Sequence, residues 1–215
     1  LCSPVNAYHE TVKKFLTIDH SNVVSRSGAS RANGQYIIDY YNSKYIVEES
    51  GKVVLADRPG EEVPFNDRTI ILQYLCGASG LPPRGRWLSF LELPDGDHHY
   101  APFQTDASNP LARAYGARFA EFRHAALTLG GREIDLGDLS YSIPALPKLP
   151  LAVVLWEGDE EFPARSNILF DAVAPTHLTT AALWILGIEL AHKMLSLYDP
   201  DIGEKSAITW LEGKR

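Results

Sequence analysis

The densest chemistry in this sequence is WEGDEEFPAR, Trp156 to Arg165, in which Glu157, Asp159, Glu160 and Glu161 place four carboxylates in five positions. Carboxylates this close repel one another unless a cation, an arginine or water satisfies them. Asp159, Glu160 and Glu161 are therefore candidate ligands for a hard divalent cation. The same run could form the polar mouth of a ligand pocket, with Arg165 as its counter-charge. The plainer alternative is a solvated acidic loop with Phe162 and Pro163 pinned to the core. Gly158, which lets the chain turn sharply, and Pro163, which fixes its exit, narrowly favour a site.

Asp171 is a second candidate, because it interrupts the apolar run NILFDAV of a strand that should be mostly buried. A carboxylate there needs a partner. Arg165 is one, and the local backbone amides ahead of Pro175 are the other. His177 lies between Pro175 and the last helix, where it would serve as an axial ligand or proton shuttle, or sit on the surface as an ordinary helix-start residue. Trp87, Tyr100, Phe103 and Trp156 could line a pocket behind the acidic run, and core packing explains them equally well.

Other chemistries find less support. His98 and His99 are adjacent, so on a strand they face opposite ways. There is no H-E-x-x-H zinc motif, no G-x-S-x-G elbow and no G-x-G-x-x-G after a strand. The two cysteines, Cys2 and Cys76, are too few for a four-thiolate site. Cys76 reads as a packed thiol within a helix. A net charge of −7 with scattered basic residues argues against a nucleic-acid partner. Cytoplasmic is the default location.

The elements that must position these residues are legible in outline. Pro4 follows Ser3 at a helix start, and Val5, Tyr8, Val12, Phe15 and Leu16 recur at helical spacing. Residues 21–34 (SNVVSRSGASRANG) are polar and glycine-rich. Arg26, Gly28 and Arg31 suggest a phosphate cradle, but the strand–loop–helix setting is missing, so a mobile solvated loop is expected. QYIIDYY, YIVEE and KVVLAD then read as a three-stranded antiparallel meander with turns at Asn42-Ser43 and Ser50-Gly51. Asn66 or Asp67 caps the next helix, which stops at residues 77–80 before Pro82-Pro83.

WLSFLEL (87–93) alternates like a strand, and Asn109-Pro110 opens a helix expected to run to Leu129. Residues 143–150 hold three prolines and should be extended. LAVVLW (151–156) and NILFDAV (167–173) are apolar on both faces, as central strands are. A long helix over residues 179–198 follows, whose apolar stretch is broken by Glu189 and His192, a core helix rather than a membrane span. Residues 199–215 form a short tail. Strands and helices come in blocks, which predicts a single α+β domain with a mixed or antiparallel sheet and about four helices.

Taken together, ILQYLCGASG (71–80), RWLSF with ELPDG (86–96), DLGD (135–138) and above all LPLAVVLWEGDEEFPARSNILFDAVAPTHL (149–178) resemble a prokaryotic family, domain of unknown function number three-seven-eight-six, common in anaerobes. The resemblance covers roughly residues 4–197, and W-x-G-D-E-E-F-P-A with the following I-L-F-D is its specific part. It implies that the acidic element and Asp171 belong to a shared pattern. Some members carry an N-terminal four-cysteine segment like that of corrinoid/iron–sulfur proteins. This chain lacks one, so no iron–sulfur cluster is expected here. The resulting expectation is a non-hydrolytic binding or accessory module in anaerobic metabolism. It would hold a corrinoid or other tetrapyrrole, or dock on a redox or corrinoid enzyme. The alternatives are a divalent-metal-dependent hydrolase built on Asp159, Glu160 and Glu161, and a structural subunit of a larger complex.

Overall fold

The computed structural model describes residues 4–198. Helix α1 (Pro4–Thr17) lays its apolar face on the core through Phe15, and a short helix, α2 (Val23–Ser27), follows at once. The segment expected to be a mobile loop is therefore ordered. Its second half forms strand β1 (Ser30–Ala32), which pairs with β2 (Gln35–Tyr40) across a two-residue turn at Asn33-Gly34. Both turn residues have positive φ, 51° and 80°, the backbone a tight right-twisted hairpin requires. Composition suggested a loop because β1 is exposed throughout and shows no alternation.

With β3 (Ser43–Val47) and β4 (Val53–Leu55) the expected three-stranded meander becomes four antiparallel strands in the order β1-β2-β3-β4. The β2–β3 turn falls at Tyr41-Asn42, one residue earlier than the sequence suggests. Tyr41 adopts φ 46° there, and its hydroxyl donates to the Leu186 carbonyl at 2.6 Å while its amide donates to Ala145 O at 3.1 Å. These bonds offset the strain of a left-handed tyrosine and tie the meander to the rest of the molecule.

Helix α3 (Phe65–Gly77) starts after Pro64, with no side-chain cap, so neither Asn66 nor Asp67 plays the expected capping role. Strand β5 (Trp87–Ser89) is shorter than WLSFLEL suggests. Ser89 and Glu92 form a capping box that turns the chain into a single 3-10 turn, Phe90–Glu92, and drops Phe90 into the core. Helix α4 (Tyr100–Phe103) continues through a π-turn, Gln104–Ser108, into α5 (Asn109–Tyr115).

The helix expected to reach Leu129 breaks at Gly116 and restarts as α6 (Phe119–Thr128). A Cβ at Gly116 would lie 2.4 Å from Ala164 Cβ, so the break lets a neighbouring loop approach the backbone.

The second sheet supplies the frame for the site. It comprises β5, β6 (Arg132–Glu133), β7 (Leu139–Leu146), β8 (Leu149–Trp156) and β9 (Arg165–Asp171) in the order β5-β9-β8-β7-β6, all antiparallel. Residues 143–150 are extended, as their prolines require, but as the closing end of the β7–β8 hairpin. β8 and β9 are adjacent interior strands, as their apolar runs predict.

After α7 (Ala174–His177), helix α8 (Thr180–Tyr198) packs against α3, α5 and α6. By length and composition it could cross a membrane, with a mean hydropathy of 1.2, and 56% of it is buried within this fold. Phe90 and Phe103 stack at 4.5 Å and meet Phe170, and a Cβ at Gly187 would lie 2.7 Å from the Phe103 ring. The α+β class is thus as expected, with four helices of ten residues or more among the described residues: α1, α3, α6 and α8.

Candidate functional site

Two of the residues singled out in the sequence, Asp171 and His177, hold opposite ends of one exposed segment. Asp171 closes β9, is fully buried, and lies opposite Trp87 of β5. Among the described residues its carboxylate accepts only backbone amides: Val173 N at 2.8 Å, Gly85 N at 2.7 Å, and Arg84 N shared between both oxygens at 2.9 and 3.1 Å. Arg165 is not its partner. It begins β9 while Asp171 ends it, six residues or about 20 Å away in extended chain. Capping of backbone amides is what satisfies this buried charge, and two of the amides come from a distant loop. Ala172 N also donates to Arg86 O at 2.8 Å, fixing the exit of that loop.

The entrance is held by His177. Its side chain is buried at 2% exposure, contrary to a surface helix-start residue, because α7 tucks it against the Tyr74 ring at 5.7 Å. Nδ1 accepts the Ser79 amide at 3.1 Å and lies 3.2 Å from Ser79 Oγ, which in turn accepts Leu81 N at 3.3 Å and meets Thr176 Oγ1 at 2.9 Å. With Nδ1 accepting an amide proton, the neutral ring carries its own proton on Nε2, which finds no hydrogen-bond partner among the described residues. Burial holds the imidazole below its ordinary pKa near 6.5. Lys148, in the β7–β8 turn, adds a clamp, donating from Nζ to Gly80 O at 3.0 Å and Ser25 O at 2.7 Å. Arg26 Nη1 donates to Ala78 O at 3.3 Å. The residues between these anchors, 81–84, are exposed.

The acidic element lies at the other end of β8 and β9, where Trp156 pairs with Arg165. Asp159 Oδ1 accepts the amides of Glu161 at 2.8 Å and Phe162 at 2.7 Å, and Asp159 N donates to Phe162 O at 2.8 Å. The carboxylate thus shapes its own loop. Glu157, Glu160, Glu161 and Arg165 are exposed. So is Phe162, at 62%, which is not pinned to the core.

Among the described residues no three His, Cys, Asp or Glu side chains are grouped as a metal-ligand set. Half-buried Trp156 packs on Gly137, where a Cβ would lie 3.0 Å from its indole. Half-buried Tyr100 packs against the core at the start of α4, and Phe103 lies within it. The fold therefore joins Trp87, Asp171 and His177 at one end of the sheet and sets Trp156, Glu157, Asp159, Glu160, Glu161 and Arg165 at the other. Two shallow depressions of about 400 and 440 Å³ are lined by Ile18, Asp19, Asn22, Ser25 and Arg26, and by Ala120, Glu121, His124, Leu197 and Tyr198. None of the residues singled out above as pocket or ligand candidates lines either, apart from Arg26.

A second polar centre escaped sequence reasoning. Asp67 turns inward from the first turn of α3, where Lys193 Nζ donates to it at 2.7 Å and Tyr40 OH at 3.0 Å. Lys193 also lies over the rings of Tyr40 and Tyr41, at 5.1 and 5.7 Å. Glu189 accepts from Asn66 Nδ2 at 2.6 Å and has His192 Nδ1 at 3.8 Å. Burial raises the Asp67 carboxyl above the usual carboxylate range against the pull of Lys193. Burial also opposes the Glu189 charge, but the neighbouring His192, Lys193 and Asn66 outweigh it and hold that carboxyl low. The signal available was the i, i+3, i+4 spacing of Glu189, His192 and Lys193, which puts them on one helical face.

Fold and site together define an α+β domain of two antiparallel sheets that presents a loop pinned at both ends. The chain belongs to the family described as Domain of unknown function (DUF3786), whose model matches residues 19–193 and so includes both anchors of the loop. No curated protein and no solved structure matches it.

Proposed function

We propose that this chain is a non-hydrolytic docking module, an accessory subunit that recognises a protein partner through residues 81–86. The partner is taken to be a redox or corrinoid enzyme of anaerobic metabolism. One observation carries the reading: a fully buried carboxylate, Asp171, gives its hydrogen-bonding capacity to backbone amides, two of them in a loop whose side chains face water. A surface loop needs no such anchor to exist, whereas a recognition loop gains affinity from being ordered before it binds. The exposed Leu81 and the arginines at 84 and 86 give that loop an apolar and charged contact face.

Holding a tetrapyrrole inside the chain is less well supported. The aromatics expected to line its pocket are parted, Trp87 beside Asp171 at one end of the sheet and Trp156 beside Arg165 at the other. The hydrolase alternative is also weaker, since Asp159 is engaged by its own loop.

The test is anoxic purification of the tagged protein from its native cells in three forms: wild type, Leu81→Ser with Arg84→Glu and Arg86→Glu, and Glu160→Gln with Glu161→Gln. A specific partner retained by wild type and the glutamine variant, and lost by the loop variant, is the expected result. A partner that follows the acidic element instead, or a bound chromophore in the isolated chain, would overturn the proposal.

A further inference from the structure

Resting on the docking reading above, we infer that residues 81–83 are a preformed polyproline-II ligand ending at the Arg84 guanidinium, and that the partner surface receiving them is an aromatic-lined groove carrying carboxylates. The segment is Leu81-Pro82-Pro83-Arg84, bounded by Gly80 at φ 90° and Gly85 at φ 68°. These left-handed glycines let the chain leave and rejoin the protein sharply. From Leu81 to Pro83 there is little conformational choice. Leu81 and Pro82 each precede a proline, which disfavours helical backbone, and both proline rings fix φ near the polyproline-II value. No peptide bond in the described residues is cis.

Three such residues make a strut about 9 Å long, after which the amides of Arg84 and Gly85 turn together onto one Asp171 oxygen. The strut is held at Leu81 N by Ser79 Oγ, at Gly80 O by Lys148, and at Arg84 N and Gly85 N by Asp171. Leu81 is 44% exposed, and Pro82, Pro83 and Arg84 are exposed beside it. Among the described residues Arg84 makes no side-chain hydrogen bond or ion pair, and Arg86 acts on Glu92 through space.

The partner's chemistry follows from these groups. Polyproline-II backbone makes no internal hydrogen bonds, so its carbonyls seek donors, which tryptophan and tyrosine supply at the edge of a ring face that packs on proline. A free guanidinium at the end of the strut calls for a carboxylate, which it can engage through paired donors. Nucleic acid or an anionic lipid surface fits less well, since a chain of net charge −7 offers only these two arginines in the loop.

The experiment places a benzophenone amino acid at position 81 in native cells, and separately at position 162 on the acidic loop. The expected adduct at 81 maps to a partner's Trp, Tyr or Phe cluster flanked by Asp or Glu. With that partner purified, the Pro82→Gly, Pro83→Gly variant should bind roughly 4- to 25-fold more weakly, the loss of preorganisation for two prolines. Melting curves confirm that the variant is folded. Arg84→Gln should weaken binding and flatten its dependence on salt. An adduct at 81 on a surface without aromatic residues, or equal affinity of the glycine variant, overturns the groove and leaves docking intact. An adduct at 162 alone, or at neither position, overturns both.

Discussion

Replacing Asp171 with alanine removes the acceptor for three backbone amides at once, and the structure sets the size of the effect. Val173 N is buried and cannot recover water, so its charged hydrogen bond counts nearly in full, about 2 kcal/mol. Arg84 and Gly85 are exposed residues whose amides regain solvent, so each contributes about 0.5 kcal/mol. The sum is about 3 kcal/mol, or roughly 6–12 °C in melting temperature for a chain of this size. Asp171→Asn should fall between. It keeps the bonds to Oδ1 but sets an amide nitrogen against Gly85 N–H, at about 1–2 kcal/mol.

Urea unfolding measures the loss, and hydrogen exchange at the amides of residues 84 and 85 reports the release of the loop. Glu160→Gln with Glu161→Gln is the control, expected within about 0.5 kcal/mol of wild type because both residues are exposed. If Asp171→Ala is no less stable than this control, or if amides 84 and 85 already exchange freely in the wild type, Asp171 is not the anchor.

Two further outcomes concern the other buried groups. Asp67→Ala should cost about 3 kcal/mol because it leaves Lys193 and the Tyr40 hydroxyl without their partner. Asp67→Leu with Lys193→Met should recover most of that in a double-mutant cycle by urea unfolding, and additive losses would show that the pair is not coupled. His177 is held neutral, its folded pKa below the ordinary 6.5, so the unfolded chain takes up the proton first. Its contribution is therefore complete above about pH 6.5 and is lost as pH falls from there toward the lowered value. His177→Asn, which keeps an acceptor for Ser79 N, should be less sensitive to acid between pH 7 and 5 than wild type. Parallel stability curves would exclude the histidine as the cause.

Much was determined locally. The apolar runs within β8 and β9 left water no face to occupy, so their central place followed from composition alone. The polar break that Asp171 makes in such a run announced a buried charge needing a partner, and residues 80–85 carry glycines and prolines that permit few shapes. What the sequence could not contain was distance. Arg165 is nearer to Asp171 in the chain than Arg84 is, yet an extended strand carries Arg165 to the far end of the sheet while β5 pairing brings residues 84 and 85 against the carboxylate.

The acidic run stood out by charge density, but its tight turn bonds one carboxylate to its own amides and leaves the glutamates in water. Asp67 reads locally as a helix cap. Only the packing of α8 on α3 turns it into the partner of Lys193, because a buried charge is satisfied by whatever the tertiary fold brings within hydrogen-bond reach, and that is set by packing and not by spacing along the chain.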